Sequence, residues 1–209
     1  MFYGIVRLII WILILFVASI IIRKSKLLHK KLVLAITFIF ATVLVTVIGL
    51  IPVENSVKYF DSPESVFAYR SSGKIEDIIY GKESCMVLSS TDPYNHSYMI
   101  IPKTSDGYKL PSAFSTKKIV DEMNGLGSFE IYQVRDTNDY YLSGVCASNK
   151  STLDLSDNMD SEFIKIASKA NDNESGTYFI YAYVGDIKDE YYLMINGEKV
   201  SLRNNNSKD

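Results

Sequence analysis

Arg23-Lys24-Ser25-Lys26-Leu27-Leu28-His29-Lys30-Lys31 is the stretch that decides how this chain is built. It separates two apolar runs, Phe2 to Ile22 and Leu32 to Ile51, and neither contains Asp or Glu. At about 1.5 Å of rise per residue, each run is long enough as a helix to cross a hydrocarbon layer about 30 Å thick. Positive charge collects on the cytoplasmic side of such spans. The expected arrangement is therefore a two-helix transmembrane hairpin over 1–52, with spans at about 2–22 and 32–51 and a cytoplasmic loop at 23–31. Arg23, Lys24, Lys26, Lys30 and Lys31 are its topology signal. The N-terminus and everything after Pro52 would then lie outside the cytoplasm.

A cleaved signal peptide has its positive charge before the apolar region, whereas here the dense charge follows the first run. The second run has the signal-like order, but it is 20 residues long and lacks an A-x-A-type site, so it reads as a retained anchor. Arg7 lies near the outer end of the first run, where a long side chain can reach the headgroups while Tyr3 sits in the interfacial belt. The other reading of Arg7 is a contact with a partner helix. Ala35, Thr42, Thr46 and Gly49 fall on one helical face, which is expected to pack the hairpin on itself.

The chain's formal charge of −2 averages two unlike parts. Residues 1–52 hold six of the 22 basic residues and none of the 24 acidic ones; the remaining 157 residues hold 16 basic and 24 acidic, a net −8. That acidity, with no dense Lys/Arg patch, argues against nucleic-acid binding and against docking on anionic lipid. A chain of this length can bury one core without metals or disulfides.

Residues 53–73 read as a juxtamembrane linker and short helix. Ser62 is placed as N-cap, Pro63 at the first helical position and Glu64 in the first turn. Residues 74–202 read as a β-rich domain and 203–209 as a polar tail. Strands are expected at Ile75–Tyr80, Ser84–Leu88, Ser97–Pro102, Phe129–Val134, Tyr140–Cys146, Thr177–Val184 and Glu190–Ile195. Asn196-Gly197 is a type I′ hairpin signal that returns the chain along 198–202. Two further helices are expected. One runs from Ser115 to Asn124, although Ile119, Val120 and Met123 also suit a strand. The other is marked by Met159, Phe163, Ile166 and Ala170 on one helical face. The fold class is a membrane α-helical hairpin plus an extracytoplasmic, mainly-β (α+β) domain, an antiparallel hairpin meander or sandwich with a few short helices.

Candidate chemistry is sparse. Cys85 and Cys146 are the sole cysteines, and both fall in expected strands. In an oxidising compartment they can form a disulfide if their strands are neighbours; otherwise they are buried small apolar groups. His96, eleven residues from Cys85, is the domain's sole histidine and reads as a surface-turn residue rather than an activating base. The acidic run Asp154 to Glu162 lacks the Gly and Glu positions of an EF-hand calcium loop, and it reads as a helix N-terminus with solvated carboxylates. One histidine and two distant cysteines supply a zinc site poorly. No nucleophile elbow, phosphate loop, zinc-protease motif or dinucleotide fingerprint occurs. No catalytic residue, cofactor-binding residue or metal ligand is assigned.

Fourteen of the 15 tyrosines lie beyond Pro52, where they suit half-exposed strands or a recognition surface. The expected function is a non-catalytic binding or interaction module integral to the bilayer, contacting a protein, peptide or envelope component and no nucleic acid. The alternatives are a subunit of a larger membrane complex that uses the hairpin as its contact surface, and an envelope hydrolase or thiol enzyme.

Overall fold

The computed structural model describes residues 2–24, 30–92, 95–148, 152–168, 176–185, 187 and 190–202. Ser25 to His29, with Lys26 of the charge signal, and the tail 203–209 lie outside the described residues.

Two helices open the chain, α1 (Phe2–Lys24) and α2 (Lys30–Leu50). Tyr3–Arg23 is long and apolar enough to cross a membrane, and Leu34–Leu50 is a shorter apolar helix. The two pack antiparallel. On α1 the less exposed positions are Tyr3, Val6, Arg7, Ile10, Ile14, Ala18 and Ile22, and on α2 they are Thr37, Ala41, Val45 and Ile48. The small-residue face expected to make this contact, Ala35, Thr42, Thr46 and Gly49, is exposed instead. The Thr42 and Thr46 hydroxyls are already satisfied, donating to the Phe38 and Thr42 carbonyls one turn back.

A 3-10 turn (Val53–Ser56) leads to α3 (Pro63–Arg70), which is capped as its sequence predicts: the Ser65 amide donates to Ser62 Oγ at 3.3 Å. Among the described residues twelve strands follow in three antiparallel sheets. The first sheet is a meander of β1 (Lys74–Tyr80), β2 (Ser84–Asp92), β3 (Asn95–Thr104) and β4 (Gly107–Tyr108). The second has the order β5 (Thr116–Asn124), β6 (Gly127–Val134), β7 (Tyr140–Ser148), β10 (Gly176–Tyr183) and β9 (Phe163–Ser168). The third has the order β12 (Glu198–Leu202), β11 (Tyr191–Ile195) and β8 (Leu155–Asp157). At the β11–β12 turn both Asn196 (φ 51°) and Gly197 (φ 90°) take the left-handed conformation that a type I′ turn requires.

The sheets stack, and strand alternation assigns each side chain to a layer. On β2, Cys85 and Val87 face outward against Phe60, Val66 and Phe67, while Met86 and Leu88 face inward. That inner face meets Val134, Tyr141 and Tyr181 of the second sheet. The opposite face of the second sheet, with Phe129, Ile131, Leu142 and Ile180, meets Leu155, Leu193 and Ile195 of the third. Strands inside this stack are covered on both sides, so β2 is buried continuously from Ser84 to Ser89. Five tyrosines, Tyr98, Tyr132, Tyr141, Tyr181 and Tyr183, fill the layer between the first two sheets.

Two of the expected helices are corrected to strands. Residues 115–124 are not helical: Thr116–Asn124 is edge strand β5, paired with β6. A bulge between Lys118 and Val120 lets the successive residues Ile119 and Val120 both enter the core. The helix expected around Met159, Phe163 and Ile166 is β8, a turn and β9; Ala170 lies outside the described residues. Asp157 forms that turn by accepting from the Met159 (3.0 Å) and Ser161 (2.9 Å) amides, and Asp160 has φ 55°, a conformation that ends any helix. Asp157 is thus a buried turn anchor and not a solvated helix-start acid.

Candidate functional site

The helices end against the β domain, and the junction is built from specific contacts. Arg7 Nη2 pairs with Glu54 Oε2 at 3.2 Å and donates to the Ile51 carbonyl at 3.3 Å. Both side chains are nearly buried, at 14% and 10% exposure. Arg7 Nε, Arg7 Nη1 and Glu54 Oε1 are buried and meet no partner among the described residues. The Arg7 guanidinium lies 4.7 Å from the centre of the Tyr3 ring, whose edge meets Tyr69 of α3 at 6.2 Å. Arg7 is therefore neither at large in the headgroups nor free for a partner helix. It binds the linker that follows α2.

The linker is tied to the domain in turn. Asn55 exchanges hydrogen bonds with Leu110, its Nδ2 donating to the carbonyl at 2.8 Å and its Oδ1 accepting from the amide at 2.9 Å. The Ala113 amide donates to the Leu50 carbonyl at the end of α2, and Arg70 donates to the Pro111 carbonyl. Between these ties lies an open cleft of about 340 Å³, with Tyr3 and Leu50 on the helix side and Arg70, Tyr98, Ser115 and Tyr132 on the domain side. The Tyr98 and Tyr132 rings are tilted against each other at 5.9 Å. Burial pushes both hydroxyls up, and the hydrogen bond that Tyr132 donates to Glu130 raises its own further. Both stay protonated at neutral pH and act as hydrogen-bonding groups. A second groove, about 690 Å³, runs between β1 and the turn at 159–162 and carries Asp77, Asp160 and Glu162. No group of three metal-ligating side chains occurs among the described residues.

The residues singled out in the sequence are not brought together. Cys85 faces α3 and Cys146 faces the third sheet, so the first two sheets stand between their side chains. Both are free, buried thiols, and the disulfide that the sequence allowed does not form. Burial, helped by the Glu64 charge, pushes the Cys85 thiol up to about 12, and burial pushes Cys146 up to about 11. Neither is poised as a nucleophile. His96 pairs with Ser90 in the β2–β3 register, well along the strand from Cys85. Its ring packs 4.9 Å from Phe179 and its Nδ1 lies 3.0 Å from Glu76 Oε2, so it is an interlayer residue and not a surface-turn histidine.

Sequence reasoning missed two features. One is the cleft, because residues 3, 70, 98 and 132 share no local pattern. The other is Asp139, which the sequence presents as a turn residue. It is 1% exposed and accepts from the Lys82 amide (3.1 Å), the Glu83 amide (2.8 Å), Ser84 Oγ (2.6 Å) and the Tyr183 hydroxyl (2.9 Å). It thereby fastens the β1–β2 turn to the second sheet. Four directed donors from the protein leave this carboxylate bound as a structural clamp.

Compared with known proteins, the chain matches no family model, no curated protein and no solved structure.

Proposed function

We propose that the chain is a membrane-anchored binding module: a hairpin of two spans with its N-terminus and β domain outside the cytoplasm, presenting a non-catalytic recognition surface. The observation that carries this reading is the Arg7–Glu54 pair, which brings the start of α1 to the chain just after α2, beside the β domain. In a hairpin, that contact requires the N-terminus and the domain to share one side of the bilayer. The exposed apolar side chains of both helices, such as Leu8, Phe16, Phe38 and Phe40, support a hydrocarbon surrounding. The charge distribution of the connecting stretch supports the outward orientation. A catalytic reading loses its two candidate groups, since the thiols are buried with raised pKa and His96 is engaged with Glu76.

The reading is tested by labelling single cysteines, in a chain whose Cys85 and Cys146 are replaced by Ala, with a membrane-impermeant thiol reagent on intact cells. A cysteine at Ser25 should be protected and one at Asn205 should react. The reverse pattern overturns the orientation. The alternative, a subunit that docks through its hairpin, loses Arg7 as a polar handle because Glu54 occupies it. Replacing residues 1–52 with an unrelated two-span hairpin should preserve ligand capture by a module and abolish it for such a subunit.

A further inference from the structure

We infer that the cleft at the helix–domain junction is a binding site for the phosphate-bearing, hydroxyl-rich headgroup of a membrane amphiphile, whose acyl chains run down the α1–α2 hairpin. The inference rests on the membrane reading above and goes further by naming the site and the ligand class.

Position comes first. The cleft is walled by the start of α1 at Tyr3 and the end of α2 at Gly49 and Leu50. In a bilayer crossed by these helices that level is the headgroup zone, where an aromatic such as Tyr3 is at home. A ligand can therefore enter laterally from the leaflet. Chemistry comes second. Arg70 is the one charged side chain among the described residues lining the cleft, in a part of the chain whose formal charge is −8. It is exposed; its Nη1 donates to the Pro111 carbonyl and its guanidinium lies 5.6 Å from the centre of the Tyr3 ring, while its further N–H groups are arranged to suit phosphate. Around it stand the hydroxyls of Thr116, of Tyr98, which already bonds Tyr132 and Ser143, and of Ser112 and Ser115, which bond each other at 3.0 Å; their remaining hydrogen-bonding capacity faces a polyol head. Size comes third. About 340 Å³ lies within the range of roughly 300–1,000 Å³ typical of small-molecule pockets. It suits a headgroup and is too small for a whole lipid. On the helix side Leu50 gives an apolar edge, and a Cβ built on Gly49 meets nothing within 4 Å, which leaves a path for chains leaving the cleft.

The experiment uses the full chain in nanodiscs of phosphatidylcholine alone or with one-fifth phosphatidylglycerol. Native mass spectrometry after gentle release counts the lipids retained, and sn-glycerol 1-phosphate serves as the soluble probe. A preliminary arm asks whether the chain floats with phosphatidylcholine vesicles and resists carbonate extraction. If it does not, the membrane reading fails and this inference falls with it. If it does, selective retention of phosphatidylglycerol is expected. Loss of the charge-assisted contact in Arg70→Gln should lower retention by about tenfold, with partial recovery in Arg70→Lys. Gly49→Phe, which fills the cleft from the helix side and leaves Arg70 in place, should lower retention similarly while the near-ultraviolet circular dichroism stays unchanged. Equal retention of the two lipids, or undiminished retention in Gly49→Phe, overturns the proposal. Binding of sn-glycerol 1-phosphate as tight as that of the lipid overturns its membrane source.

Discussion

At the residue scale, the least expected finding is how thoroughly the titratable groups are committed to structure. Cys85 and Cys146 face different layers with thiol pKa values pushed up to about 12 and about 11. Under native conditions at pH 8 neither should react with an aromatic disulfide reagent over minutes, and two thiols per chain should appear on unfolding. Two protected thiols and identical mobility with and without reductant are expected even from an oxidising compartment; a recovered Cys85–Cys146 bridge contradicts the stacking order. Asp157 makes a pH prediction. Burial alone would raise its pKa, but hydrogen bonds from the Ser161 hydroxyl and amide, the Tyr191 hydroxyl and the Met159 amide outweigh burial and hold it below the ordinary 3.8. A depressed folded-state pKa gives stability that is fully present above the unfolded-state value near about 3.9 and is lost as pH falls through the folded one. The stability gap between wild type and Asp157→Asn, from urea unfolding, should be flat above about pH 5 and shrink below about pH 4. A gap that stays constant down to pH 2 rules out an ionised anchor.

At the element scale, the first two sheets are joined at one place where a side chain is not tolerated. A Cβ on Gly81, in the β1–β2 turn, would stand 2.5 Å from the Tyr141 hydroxyl, 2.7 Å from Asp139 Oδ2 and 2.9 Å from Tyr183 Cε2. All three neighbours belong to the Asp139 cluster and have little room to retreat. Gly81→Ala is expected to cost about 1–3 kcal/mol as an overpacked site, read as a lower urea midpoint with an unchanged slope. Asp139→Ala, which strands four donors, is expected to cost about 3 kcal/mol or more. Additivity in the double variant would show that the two residues act separately; a shared cluster gives a smaller combined loss. The elements misread from sequence fail for a related reason. On edge strand β9, Ile164 and Ile166 pack between the first two sheets, Lys165 and Ala167 are exposed and Phe163 reaches the third-sheet side; an alternation this short is masked by the helix-like spacing of Met159, Phe163 and Ile166.

At the scale of the whole molecule, the Arg7–Glu54 contact decides whether the β domain is seated on the hairpin or tethered to it. The pair is nearly buried and incompletely hydrogen-bonded, so either charge left alone is more costly than neither. In detergent micelles, Arg7→Gln and Glu54→Gln should each raise proteolytic cleavage between Pro52 and Phe60 several-fold. The double variant should be cut more slowly than either single one. If both single variants resist protease as wild type does, the junction is held by Tyr3, Tyr69 and Asn55 and the ion pair is dispensable.

The sequence by itself determined the parts whose signals are local. These are the apolar length of α1, the Ser62-Pro63-Glu64 helix start, seven of the strand positions and the Asn196-Gly197 turn. Each is set by hydrophobicity, capping or backbone conformation within a few residues. Tertiary structure alone decided the three-sheet stack, the strand identity of β5 and β9, the separation of Cys85 from Cys146 and the burial of Asp139. It also decided the turning of Arg7 onto Glu54 and the cleft between Tyr3, Arg70, Tyr98 and Tyr132. Those features depend on which faces meet across layers, and residues far apart in the chain carry no mutual pattern until packing and desolvation bring them together.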